Sequence, residues 1–474
     1  MDVKTKELLS NTVLFTIANM GSKILVFLMV PFYTYVLTPR EYGIAGVVQT
    51  TASLFFPILT LKLQDAVLRF CFKKELRKDD ILSIGVVIGF IGVVISAVLA
   101  FIFRYIPLFG EVGWFIFFLP FIHFAHTFSQ LFSFFARGIN NVRASAISGL
   151  ISTLFVVCLN LIFLLLFHTG VAGYLLSFAI ADTIAAIYLF FSCGLSKYVS
   201  GKINQPLTRE MLIFSVPLIP TSLSWWMLGS FNNYCILSIL GAASVGIYTA
   251  SMRVPSILTA LADIFSQAWL LSALKNYETE EGRGFIRSVH RKFFSVLCFL
   301  TGGITLLCHP IAKILLSGEF SNSWQIIPLL FVAVFFGSLT GFYGSIFSAE
   351  NKTTIHFTST ITGSIVSVTI VLCLLHRFGL MIVPVGTLSG YFTIWLIRKI
   401  KLNDYIDIGF TTIEAVFMGG LLVAIAVLVI FEQYLYAIII YVLILFLCRK
   451  PLYSVCEFGK AELYSFIRNR IFKK

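Results

Sequence analysis

Charged side chains stand inside stretches that are otherwise apolar enough to cross a membrane, and their types and spacing set what the chain could bind. Asn19 and Lys23 lie four apart in the stretch 8–36, so a helix puts them on one face. Lys62, Asp65 and Arg69 follow at spacings of three and four in 44–72, again on one face. Asp182 sits near the middle of 171–193, Arg253 and Asp263 share 245–273, and Lys313 falls late in 293–316. A charge at the bilayer centre costs about 2.5–3.5 kcal/mol on insertion scales, so each of these needs a reason. Arg69 and Lys313 are close enough to span ends to reach headgroups with their stems. Lys23 and Arg253 have no such exit and no acid at helical spacing on their own helix. Several cations around one interior cavity suit an anion, phosphate or pyrophosphate above all. The substrate-binding candidates are therefore Lys23, Lys62, Arg69 and Arg253, with Asn19 and Asn232 as polar neighbours. Asp65, Asp182 and Asp263 are candidates for proton or sodium coupling, because a carboxylate in low dielectric can exchange a proton. The alternative for each is a static pair with a cation, and Asp65 could simply neutralise Lys62 and Arg69.

Other polar residues carry less. His123 and His126 lie three apart with no Cys or carboxylate beside them in the sequence, so helix packing or contact with water explains them better than a metal or a proton relay. Trp225, Trp226, Asn232 and Asn233 make 211–240 polar enough to face a cavity, or to hydrogen-bond a neighbouring helix. No P-loop, metal cluster, nucleophile elbow or dinucleotide fingerprint is present, so no cofactor or metal is expected and ATP is not the direct energy source.

The elements that must position these residues are membrane helices. About fourteen apolar stretches recur between Leu8 and Leu447, each near the length that a helix needs to cross the hydrocarbon. Hydrophobic residues make up 58% of the 474, charged residues 12%, and mean hydropathy is +0.94. Twenty-seven of the 35 Lys and Arg residues fall in alternate connections, against Arg40, Arg104 and Arg377 in the others. By the positive-inside rule this places both termini in the cytoplasm of a multi-pass inner-membrane protein. The net charge of +13 then reflects orientation and contact with anionic lipids, and a nucleic-acid partner is not expected. The longest connection on the outer side, 104–113, is too short to fold into a domain that could carry chemistry. An enzyme is disfavoured and a transporter favoured.

The longest cytoplasmic connections follow the sixth and eighth spans. They divide the chain into 1–200 (spans one to six), 201–402 (seven to twelve), 403–448 (thirteen and fourteen) and a basic tail, 449–474, read as an amphipathic helix on the inner leaflet. The joints 36–44 and 239–247 match in Leu, Gly and Ile and lie six spans apart, which describes a parallel repeat. Pro31, Pro57, Pro120, Pro217, Pro220, Pro255, Pro328 and Pro384 fall within spans and are expected to kink them.

Several short motifs resemble one family. Gly21-Ser22-Lys23, Val30-Pro31-Phe32-Tyr33-Thr34, Glu41-Tyr42-Gly43 and Asp65-Ala66-Val67-Leu68-Arg69-Phe70 resemble the opening of polysaccharide (Wzx-type) flippases. Ala136-Arg137-Gly138, Val245-Gly246-Ile247-Tyr248 and the stretch from Phe265 to Trp269 are similar to later parts of the same family. These flippases belong to the multidrug/oligosaccharidyl-lipid/polysaccharide exporter superfamily. The resemblance implies an all-α fold of two six-helix lobes in a V around a central cavity, with two accessory C-terminal helices. It also implies a substrate of undecaprenyl-pyrophosphate-linked oligosaccharide, flipped for capsule, O-antigen or exopolysaccharide synthesis, and polysaccharide polymerase machinery as a partner. Where many relatives carry an Asp-Arg pair late in span seven, this chain has Asn232-Asn233, which shifts the charge burden to Lys23, Arg69 and Arg253. A cation-coupled drug or metabolite antiporter would share the helix plan but would want acids in its cavity. A glycan polymerase or ligase would need a large external loop.

Overall fold

The structure, a computed structural model, describes residues 21, 24–199, 203–276, 280–349, 352–406, 408 and 411–471. The described residues are helical almost throughout, with no strand among them. They fall into two compact units, Met1–Arg253 with Ile314–Ser321 and Leu374–Leu380, and Val254–Lys313 with Asn322–Cys373 and Met381–Lys474.

Among its described residues the first unit holds nine α-helices. They are α1 (Val30–Val36), α2 (Pro39–Leu59), α3 (Leu63–Cys71), α4 (Lys78–Phe103), α5 (Leu119–Gly138), α6 (Val142–Leu161), α7 (Gly170–Ser192), α8 (Gln205–Ser215) and α9 (Ile219–Arg253). The start of α2 is fixed by a reciprocal cap. The Glu41 backbone N–H donates to Thr38 Oγ1 at 3.3 Å, and the Thr38 N–H donates to Glu41 Oε2 at 2.9 Å, with Pro39 filling the first helical position. Asn141 and Asn204 cap α6 and α8 through single bonds to the N–H groups of Ala144 and Leu207. Along α4 a row of large apolar side chains, from Phe90 to Ile102, is exposed and only 22% of its apolar window is buried. Such a face is stable only against lipid.

The second unit holds α10 (Ser256–Asn276), α11 (Glu280–Leu306), α13 (Ile327–Ala349), α14 (Thr353–Phe378), α15 (Ile382–Asn403), α16 (Thr412–Ile430) and α17 (Tyr434–Ile471), with the short α12 (Cys308–Leu315) bent by 65° from α11. Its core helix is α13, within a stretch 83% buried. By contrast α17 is 17% buried over its apolar window and lies at the periphery. Thr411 and Glu414 form a second reciprocal cap at the start of α16. The basic tail does not start a separate element: α17 runs through Pro451 to Ile471 as one helix.

Among the described residues, ten helical stretches are long and apolar enough to cross a membrane, eleven with the bent α11–α12 pair. The expected count of fourteen is therefore not reached by this criterion. Two of the ten, Gln205–Arg253 and Thr354–Asn403, run to 49 and 50 residues. At 1.5 Å per residue either is long enough for two crossings of about 30 Å.

The prolines behave differently from expectation. Pro31, Pro120, Pro217 and Pro328 occupy first helical turns, where no intrahelical N–H is lost, and Pro255 precedes α10. Among the eight, Pro57, two residues from the end of α2, is interior to its helix, while Pro220 and Pro384 fall in the first turns of α9 and α15. The sharp breaks come from backbone conformation instead. Leu61 and Lys62 adopt positive φ (49° and 55°) between α2 and α3, and Gly241 (φ 79°) turns the chain within α9.

Candidate functional site

The first unit gathers most of the expected site residues, and it does so at three separate places. At the α2–α3 break, Lys62 Nζ lies 3.1 Å from Asp65 Oδ2. Lys62 is not on the α3 face with Arg69, since it stands outside the helix in the left-handed region, so the expected single face 62–65–69 is broken here. Arg69 points the other way, exposed, with its guanidinium 4.3 Å from the Phe214 ring. Arg137 of α5 lies within electrostatic reach of Asp65. Asp65 thus pairs with Lys62 and lies near Arg137, whereas Arg69, the other cation it was expected to neutralise, stands apart on Phe214.

The second place surrounds Arg253, at the end of α9. Arg253 donates a hydrogen bond to the Tyr42 hydroxyl, and Tyr174 and Tyr33 lie within electrostatic reach of it. The three rings form one cluster: Tyr33 to Tyr174 is 5.1 Å between centroids, edge to face, and Tyr42 to Tyr174 is 5.8 Å. Phenol groups from α1, α2 and α7 therefore converge on one guanidinium. Sequence spacing gave no sign of this, because tyrosines near span ends are ordinary interface anchors.

The third place centres on Asp182 of α7. Its Oδ1 accepts from Ser152 Oγ at 2.7 Å and its Oδ2 pairs with His126 Nδ1 at 3.1 Å. His126, which has no carboxylate near it in sequence, has one in space. The ring of Phe56 stands 4.6 Å from the imidazole, edge to face. Carboxylate, imidazole and hydroxyl from three helices form a polar set that can hold and pass a proton. The companion His123 is buried and carries no such partner group in its reading as a packing residue.

Between these places runs a polar seam that joins α2 to α9. Trp226 Nε1 donates to the Thr50 carbonyl at 3.1 Å, Asn233 Nδ2 donates to Thr50 Oγ1 at 2.8 Å, and the Tyr234 and Thr51 hydroxyls meet at 2.7 Å. Asn232 is buried within this unit. Trp226, Asn233 and Tyr234 of α9 thus hydrogen-bond a neighbouring helix. Further along, the helices touch backbone to backbone. A Cβ on Gly43 would stand 1.8 Å from the Ala242 carbonyl oxygen, and one on Gly246 would stand 1.9 Å from that of Pro39. Both contacts are related by the same offset of 203 residues that aligns the two joints of the sequence repeat.

Of the remaining expected residues, Asp263 sits half-buried on α10 in the second unit, and Lys23 and Asn19 lie outside the described residues. Among the described residues no group of three or more His, Cys, Asp or Glu side chains could hold a metal ion. Arg398, which the charge pattern counts among the basic residues of a cytoplasmic connection, is fully buried on α15. Its guanidinium donates to the carbonyls of Thr340 (2.7 Å) and His356 (3.1 Å), to Thr360 Oγ1 (2.9 Å) and, through Nε, to Ser359 Oγ (3.0 Å). It ties α13, α14 and α15 together.

Residues 8–274 match the family of polysaccharide biosynthesis proteins. The chain belongs to that family. This polysaccharide biosynthesis protein also shares its fold with solved transporters. An inward-facing multidrug MATE transporter of the MOP superfamily superposes with a TM-score of 0.67 at 13% identity, over 81% of this chain and 95% of that one. The lipid II flippase MurJ, in an inward closed conformation, gives 0.67 at 13% identity over 94% and 99%. An outward-facing MATE structure gives 0.57 at 14% identity over 84% and 96%. No curated protein matches the chain. The polysaccharide biosynthesis protein is thus a multi-pass membrane protein with the fold of this transporter superfamily.

Proposed function

We propose that the protein is a flippase that carries undecaprenyl-pyrophosphate-linked oligosaccharide repeat units across the cytoplasmic membrane for cell-surface polysaccharide synthesis. The observation that carries this reading is the match to polysaccharide biosynthesis proteins over 8–274. Its chemistry agrees. Pyrophosphate and sugar cannot enter hydrocarbon unaided, and cations with hydroxyl groups can replace their hydration while the lipid tail stays in the bilayer. Arg253 with its tyrosines, Lys62 beside Asp65, and the exposed Arg69 are the described sites that could meet the anion in turn; Lys23 is the further one given by sequence. Because these groups lie at separate places, the pyrophosphate is handed between them rather than held by all at once. Two six-helix lobes, 1–200 and 201–402, rock around the site, with both termini in the cytoplasm and 403–448 accessory.

Membrane potential drives a moving anion outward from an inside-negative cytoplasm, at about 2.3 kcal/mol per charge per 100 mV. Asp182 with His126 adds proton exchange; Asp263 and Asp65 are the weaker coupling candidates. The same pair also favours a second reading, a cation-coupled antiporter, since the fold is shared with multidrug transporters. The deciding experiment deletes the protein and then reconstitutes it. Accumulation of lipid-linked oligosaccharide on the inner leaflet, with flipping restored in vesicles, is the expected result. Normal glycan export in the deletion strain, with efflux of cationic drugs lost, would replace this reading by the second.

A further inference from the structure

A cavity of about 770 Å³ opens in the second unit between α11, α16 and α17, away from the site residues described above. Its polar wall is basic: Arg287, Arg291 and Lys292 come from α11, and Arg449 and Lys450 from α17. Arg287 and Arg291 are one turn apart and so share a face. The single acid in the lining, Glu414, has its carboxylate engaged in the cap of α16, where Oε2 accepts from the Thr411 N–H at 2.9 Å and from Thr411 Oγ1 at 3.0 Å. The opposite wall is apolar, with Phe294, Phe417, Met418, Phe446 and Leu447. From that wall an exposed apolar track continues along α17 through Leu443, Val442 and Ile439.

This division fits one kind of ligand, an amphiphile with an anionic head and hydrocarbon tails. The volume lies within the usual range of about 300–1,000 Å³ for small-molecule sites, enough for a glycerophosphate head. The cations stand where apolar helices end, the depth at which lipid phosphates lie. Ser288 and Ser295 on the α11 wall offer hydroxyls beside the charges. The arginine planes can grip a phosphate bidentately, and Arg449 is already ordered by its stacking 4.2 Å over Phe446. We propose that this cavity is a binding site for a diacyl anionic phospholipid of the leaflet that the basic loops face, seated with its phosphate between Arg287, Arg291 and Arg449 and its chains along α17. The site stands independently of the flippase reading, since none of its residues belongs to the proposed transport path.

The full-length protein, purified in detergent and placed in nanodiscs of phosphatidylcholine with a minor fraction of phosphatidylglycerol, tests the site through the lipid that stays bound on native mass spectrometry. The native protein should retain phosphatidylglycerol over phosphatidylcholine. The triple variant Arg287→Gln, Arg291→Gln, Arg449→Gln should lower that preference by at least about tenfold, as each basic residue near an anionic headgroup contributes measurably. Ser288→Trp, which fills the cavity and leaves the charge unchanged, should lower it too. The charge-preserving Arg→Lys triple should keep part of it, more than the Gln triple does, because the charge remains while the bidentate grip is lost. An equal loss of charge elsewhere, Arg143→Gln, Lys197→Gln, Lys352→Gln, should leave it intact. If this last variant loses the preference as fully as the pocket triple, the effect is general surface charge and the site is refuted. Retention of undecaprenyl pyrophosphate in preference to phosphatidylglycerol would also overturn the proposal, assigning the cavity to substrate entry.

Discussion

At the scale of single residues, charge and hydrogen-bonding capacity separate groups that transport from groups that hold. Arg253 meets three phenols, so its value to a passing anion lies in a guanidinium that can exchange Tyr42 for phosphate. Arg253→Ala should cut flipping in reconstituted vesicles by at least about tenfold, since a hydrogen bond to a charged group is worth about 1.5–3 kcal/mol. Arg253→Lys should retain part of the activity, and unchanged flipping by the alanine variant at normal protein level would remove Arg253 from the path. Asp182→Asn keeps a side chain that can bond Ser152 but no longer accepts a proton. It should abolish the dependence on an imposed proton gradient while flipping driven by potential alone persists. Arg398 belongs to the other class. Arg398→Gln leaves buried carbonyls without their donor and should lower the stability of the purified protein by about 2 kcal/mol or more, read as a drop in Tm. Sequence placed Arg253 and Asp182 among the functional candidates because a charge in an apolar run is visible in one dimension. It could not find His126 as the partner of Asp182, or Tyr174 as the neighbour of Arg253, because those pairs are made across helices. Arg398 was hidden for a related reason: the charges of Arg398 and Lys399 at the end of an apolar run look like the start of a loop, whereas α15 continues through them to Asn403.

At the scale of elements, apolar periodicity made the helices legible and their breaks largely illegible. The proline count suggested kinks, yet most of those prolines cap helices, and the turns arise at Leu61–Lys62 and Gly241. A positive φ on a lysine leaves no mark in composition. The seam between α2 and α9 was half legible. The polar run Trp226 to Tyr234 stood out, but its choice between cavity and helix partner needed the hydroxyls of Thr50 and Thr51. Where that seam becomes a backbone contact, side chains are excluded. Gly43→Ala or Gly246→Ala should force α2 and α9 apart and lower stability by about 1–3 kcal/mol, as overpacking does. A cysteine introduced at Thr50 should then react faster with a small thiol reagent; unchanged Tm and unchanged labelling would show the crossing to be slack.

For the whole molecule, the distribution of basic residues makes the strongest statement that sequence alone allowed, and it concerns sidedness. Reporter fusions after Arg143, Lys202 and Lys401 should all report cytoplasm; labelling of cysteines there from outside intact cells would invert the topology. Fold class was legible from length, hydropathy and loop size together. The grouping of helices was not: α9 joins the first compact unit through contacts that no loop length reports. One such contact has a meaning beyond mechanics. After a duplication, one copy commonly keeps an old role while the other drifts. Gly43 and Gly246 deny the chain that freedom, because each stands against the backbone of the other's own helix, four residues before its counterpart. A side chain gained on either would collide with peptide atoms that no substitution can trim. If the two joints are copies, neither can gain a side chain here without the other giving way, and the spot where such a repeat is hardest to erase is the spot where its copies meet.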